Sequence, residues 1–84
     1  MVEDKYKYIE MNLVEQNEKK KTQTYAVRNI ESQLILGYIK WSRDWRQYVF
    51  ETIPESSVIF VFSKGCLIDI CDFISKLMYE RTRQ

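Results

Sequence analysis

The sequence predicts an α+β domain, an antiparallel β-meander of about five strands followed by one C-terminal helix packed on the sheet. Three observations carry this expectation. Much of the chain up to Thr52 alternates at period two and is rich in β-branched and aromatic residues. After Ser63 the apolar residues recur at helical spacing instead. Finally, 84 residues suffice for one hydrophobic core and not for two, so residues 1–84 read as a single domain.

The first strand is expected over Lys5 to Glu15, with Lys7, Ile9, Met11 and Leu13 on one face and Tyr6, Tyr8, Glu10, Asn12 and Val14 on the other. Gln16 to Lys21 is polar and reads as a hairpin tip, and Thr22 to Arg28 resumes the strand pattern. Asn29 to Ser32 reads as a turn, because Asn and Ser bond neighbouring backbone. The third strand, Gln33 to Trp41, carries Leu34, Leu36 and Tyr38 on one face and Ile35, Ile39 and Trp41 on the other. Apolar residues on both faces place it mid-sheet with both sides covered. Gly37 at its centre implies a bulge or the close approach of another group. A fourth strand follows over Trp45 to Thr52, a turn at Pro54, and a fifth, fully buried strand at Val58 to Phe62.

Ser63 is a natural N-cap for a helix from about Lys64 to about Glu80. Leu67, Ile70, Cys71, Ile74, Leu77 and Met78 form its expected core stripe. Asp72 and Lys76 are a favourable i, i+4 pair, and Lys76, Arg81 and Arg83 suit the negative end of the helix dipole.

Composition narrows the chemistry. A net charge of +1 shows no excess of the kind a polyelectrolyte binder carries overall. The absence of His removes the commonest general base and metal ligand. No Ser-His, Cys-His, P-loop or nucleophile-elbow pattern is present, so no enzyme activity and no cofactor is expected. Cys66 and Cys71, five residues apart, point about 140° away from each other on a helix. They are read as reduced thiols, Cys71 filling core and Cys66 near the helix start. The first residues carry no apolar signal region, and the longest apolar run is too short for a bilayer. The expected location is the cytoplasm, with no membrane partner.

One helix covers one face of a sheet, and six Tyr, four Phe and two Trp leave a surplus for the other. The surplus predicts a homo-oligomer, a dimer or dimer of dimers, with Trp41 or Trp45 in the interface. The densest chemistry is residues 37–48, which set Lys40, Arg43 and Arg46 among Tyr38, Trp41, Trp45 and Tyr48. Arg offers a planar fork to phosphate, and Trp or Tyr offers a face to a base, so these seven residues are the candidate ligand site. Interleaved Arg and aromatic side chains equally suit a structural cation–π stack within a hairpin. Lys19, Lys20 and Lys21, flanked by Glu18, read as a solvated hairpin tip, because a phosphate-tracking patch is usually longer.

The segments Gly37-Tyr-Ile-Lys-Trp41, Trp45-Arg-Gln-Tyr-Val-Phe50, Phe62-Ser-Lys-Gly-Cys-Leu67 and Asp69-Ile-Cys-Asp-Phe-Ile74 resemble those of short, uncharacterised proteins of phages, prophages and archaea. The resemblance spans about residues 24–80 and brings no residue roles with it. It implies a mobile-element context, in which small proteins often act stoichiometrically against host defence. Three functions then compete. The first is a sponge sequestering a cyclic or other nucleotide signal. The second is an anti-CRISPR-like inhibitor that binds a host defence protein through Trp and Arg hot spots. The third is a single-strand nucleic-acid-binding module, against which the low net charge counts.

Overall fold

The computed structural model of the chain describes residues 6–53 and 61–82. Four antiparallel strands in the order β1-β2-β3-β4 make the sheet: β1 Ile9–Asn17, β2 Thr22–Asn29, β3 Ile35–Ser42 and β4 Gln47–Thr52. One helix, α1 Lys64–Thr82, follows. The expected class is therefore present with four strands among the described residues. The expected fifth strand is not seen at its described end, where Val61 and Phe62 are irregular; residues 58–60 lie outside the described residues. Three strands also start later than expected, β3 at Ile35 rather than Gln33. Tyr6, Lys7 and Tyr8 precede β1, and Trp45 and Arg46 belong to the turn before β4.

The three hairpin turns share one design. Each encloses four residues (18–21, 30–33 and 43–46), the second inside the bond from the Asn29 N–H to the Leu34 carbonyl just ahead of β3. Each is opened by a side chain that accepts the backbone N–H three residues on: Asn17 from Lys20 at 3.1 Å, Asn29 from Ser32 at 3.0 Å and Ser42 from Trp45 at 3.2 Å. Each closes on a residue in the left-handed region, Lys21 at φ 55°, Gln33 at φ 64° and Arg46 at φ 54°. Gly would adopt that conformation without steric cost, and none of the three positions carries it.

Two bulges tune the sheet. Val14 is the extra residue of β1, between the pairs Leu13–Tyr25 and Glu15–Thr24. Leu36 is the extra residue of β3, between the pairs Val27–Gly37 and Arg28–Ile35. Gly37 fulfils both expectations at once. It adjoins the bulge, and the Phe50 ring and Glu51 carbonyl press so close that there is no room for a Cβ.

Ser63 caps α1 as its sequence implies. Its hydroxyl oxygen accepts the Cys66 N–H at 3.1 Å, and its carbonyl accepts the Leu67 N–H at 3.0 Å. The helix lies on the face that presents Met11, Tyr25, Val27, Ile39, Trp41, Tyr48 and Phe50. Its buried stripe is Cys66, Ile70, Phe73 and Leu77, with Ile74 and Met78 half-buried beside it. Four of the six expected residues lie on this stripe, and Cys66 and Phe73 take the places of Leu67 and Cys71, a rotation of less than the 100° between successive residues. Leu67 and Cys71 face outward, Cys66 is the buried thiol, and Phe73 is the central anchor. The rotation is favoured because it seats Phe73 edge-on to Tyr25, centroids 4.8 Å apart.

The surplus aromatic face expected of the sheet does not form. The extra residue Leu36 turns inward and joins Ile39 and Trp41 under the helix, while Leu34 and Ile35 are left exposed at the entrance to the strand. The opposite face carries Asn12, Ala26 and Tyr38 among cross-strand charges. There Arg28 pairs with Glu10, and Lys40 pairs with Glu51 at 2.7 Å.

Candidate functional site

The structure divides the seven candidate residues into three groups. Tyr38 and Lys40 lie on the sheet face away from α1, where Lys40 is held by Glu51. Trp41 and Tyr48 are a cross-strand pair beneath the helix side, their rings edge-on at 5.4 Å. Only Arg43, Trp45 and Arg46 come together, on the four-residue turn between β3 and β4.

Trp41 and Tyr48 are committed to structure. The Tyr48 hydroxyl accepts the Gln23 backbone N–H at 3.1 Å and donates to the Gln23 side-chain oxygen at 3.0 Å. The Arg81 guanidinium lies over the Trp41 ring, 4.1 Å from its centroid, and donates to the Lys20 carbonyl at 3.3 Å. One cation thus clamps the end of α1 to β3 and to the β1–β2 turn. The structural-stack alternative holds for these two aromatic residues, with a partner from the helix rather than from the hairpin. The only trace of Arg81 in the sequence was its place in the last helical turn, which reads as dipole compensation.

The β3–β4 turn is the opposite case. Trp45 is 73% exposed, and Arg43 and Arg46 beside it are exposed as well. The Ser42 hydroxyl holds the Trp45 backbone, and the left-handed φ of Arg46 ends the loop before Gln47 pairs with Ser42. An apolar ring of this size kept in solvent, on a turn that also carries two exposed arginines, is a surface feature that the fold does not use.

The titrating groups outside this turn have structural roles. Tyr6 donates to the Asp72 carboxylate at 2.8 Å and the Lys76 ammonium approaches it at 3.2 Å. These contacts, the tyrosine's first, hold the Asp72 carboxyl below the usual range. Burial, aided by the nearby Asp69 charge, pushes the Cys66 thiol up, away from the thiolate form. Among the described residues no helix is long and apolar enough to cross a membrane.

No protein-family profile matches the chain, and no solved structure matches it. Among proteins of known sequence it is similar to the "Uncharacterized 9.3 kDa protein" of Acholeplasma phage L2. The two are 42% identical over 62 residues, which is 74% of each chain. The phage context expected from the sequence is thereby supported, and at this identity and coverage the chain belongs to the same family as the phage L2 protein.

Proposed function

We propose that the chain is a small non-catalytic binding protein that captures a nucleotide-type ligand on its β3–β4 turn, and so withdraws it from host defence. The observation that carries this reading is the exposed Trp45 ring on the same four-residue turn as the exposed Arg43 and Arg46, its backbone held by Ser42. A base stacks on the indole and the two guanidinium groups take phosphate. The candidate site contracts accordingly, from seven residues to these three. The phage relative supports the mobile-element setting.

Calorimetric titration with mononucleotides and cyclic dinucleotides tests the reading. Arg46→Lys keeps the charge and removes the planar fork, and is expected to weaken binding about ten- to hundredfold, equivalent to roughly 1.5–3 kcal/mol. Arg46→Gly serves as the folding control, because Gly suits φ 54°. It is expected to retain the parent's melting temperature while losing the ligand. Equal binding by parent and lysine variant would exclude bidentate phosphate capture. A host protein retained by the parent and lost on Trp45→Ala, with no nucleotide bound, would assign the turn to protein recognition instead.

Self-association belongs to the same reading at a different surface. Trp41 is covered by Arg81 and Tyr48, whereas Ile68 and Tyr79 stand exposed on the outer side of α1 with Cys71 between them. A homodimer through this stripe is expected, and Ile68→Glu should convert it to monomer in sedimentation velocity. A parent chain that sediments as a monomer at high micromolar concentration would rule the dimer out.

A further inference from the structure

Chain direction gathers charges that the sequence keeps far apart. In a four-stranded meander the β1–β2 and β3–β4 turns lie at the same end of the sheet, and the β2–β3 turn lies at the other. The shared end therefore carries Lys19, Lys20 and Lys21 on one turn and Arg43 and Arg46 on the other, against Glu18 and Asp44. The last turn of α1 adds Arg81, which touches both Lys20 and Trp41, next to Glu80. The turn at the far end carries Glu31 and Gln33 instead. The ion pairs Arg28–Glu10, Lys40–Glu51 and Lys76–Asp72 involve no residue of these two turns. Among the described residues, none of the five cations in its two turns enters an ion pair. A net charge of +1 thus conceals a polarised molecule.

From this placement we infer that the basic end binds single-stranded nucleic acid, with Trp45 as the stacking platform and the two turns as successive phosphate contacts. The inference rests on nucleotide capture at Trp45 and Arg46, and extends that site from one nucleotide to a strand. Its dimensions suit a strand. The two turns are separated by two strand spacings, about 10 Å. A single strand running across this end therefore meets both turns along its backbone. Both closing residues, Lys21 and Arg46, are held at left-handed φ where Gly would be relaxed, so each turn ends on a cation in a fixed backbone geometry. The low overall charge, which counted against nucleic acid in the sequence, matters less than its distribution, because phosphates feel charges within about one Debye length.

Fluorescence anisotropy with a labelled oligothymidylate of about twelve nucleotides tests this, alongside calorimetry with thymidine monophosphate. The parent is expected to bind the oligomer well over tenfold more tightly than the mononucleotide. Its affinity should fall with salt at a log–log slope near −0.7 per phosphate contact, about −3.5 if all five turn cations engage. The variant Lys19→Ser/Lys20→Ser/Lys21→Asn keeps a residue that tolerates left-handed φ at position 21. It should lose roughly two units of that slope and leave mononucleotide binding unchanged. If mononucleotide binding depends on Arg46 but the triple variant binds the oligomer like the parent, the strand inference is overturned and the nucleotide reading stands. If the triple variant alone weakens the oligomer and Arg46→Lys changes nothing, the β3–β4 reading falls and a basic polyanion surface remains. If the parent binds neither probe, both fall.

Discussion

Phe73→Ala is expected to cost about 3–5 kcal/mol, one of the two largest losses available to a single substitution in this chain. Phe73 is fully buried at the middle of α1, edge-on to Tyr25 and flanked by Ile70 and Leu77. Among the described residues α1 is the one helix on the inner sheet face, with Tyr6 and Phe62 beside it, so the ring seats most of the second layer. Domains of this size are stable by only about 5–15 kcal/mol, and each kcal/mol moves their melting temperature by roughly 4–8 °C. Urea titration followed by far-ultraviolet dichroism should show the midpoint falling steeply. Leu67→Ala, six residues earlier and exposed, should stay within about 0.5 kcal/mol. Near-equal effects of the two would mean that the helix is rotated toward the stripe first expected from the sequence.

Gly37→Ala is the second. A Cβ there would stand 2.9 Å from the Cε1 and Cζ atoms of Phe50 and would overlap the Glu51 carbonyl oxygen. The ring could swing only by leaving its edge-on contact with Phe62, and the carbonyl belongs to paired β4 backbone. Overpacking alone typically costs about 1–3 kcal/mol, and displacing a strand adds to it, so a loss of about 3 kcal/mol or more is expected. Hydrogen exchange should accelerate along β4 in particular. Phe50→Leu relieves the ring and leaves the carbonyl, so the double variant should remain destabilised. A Gly37→Ala protein that melts within 2 °C of the parent would contradict the close approach of β3 and β4.

Local chemistry explains which parts were legible beforehand. Ser63 announced the helix because a hydroxyl before a 3.6-residue repeat has a single good use. Gly37 announced a crowded strand because nothing else fits under an aromatic ring. The helix rotation was not legible, since Leu67, Cys71 and Phe73 offer two stripes of equal hydrophobicity and only Tyr25, 48 residues before Phe73, decides between them. The inward turn of Leu36 was hidden for a similar reason: strict alternation assigns it to the same face as Tyr38, and one extra residue in β3 reverses that. Residues 37–48 were legible as a cluster of residue types but not as a site. Strand alternation sends Tyr38 and Lys40 to one face and Trp41 and Tyr48 to the other, and leaves the turn to collect what remains.

The two tryptophans, four positions apart in sequence, occupy opposite environments. Trp41 sits beneath a guanidinium at a helix–strand junction, and Trp45 stands in water at the tip of a turn. Intrinsic fluorescence from this chain is consequently two signals. The red-shifted emission of Trp45 responds to whatever settles on the turn, and the emission of Trp41 responds to the seating of α1. Single Trp→Phe substitutions separate them, so occupancy of the turn and integrity of the fold are readable in one cuvette without an attached dye.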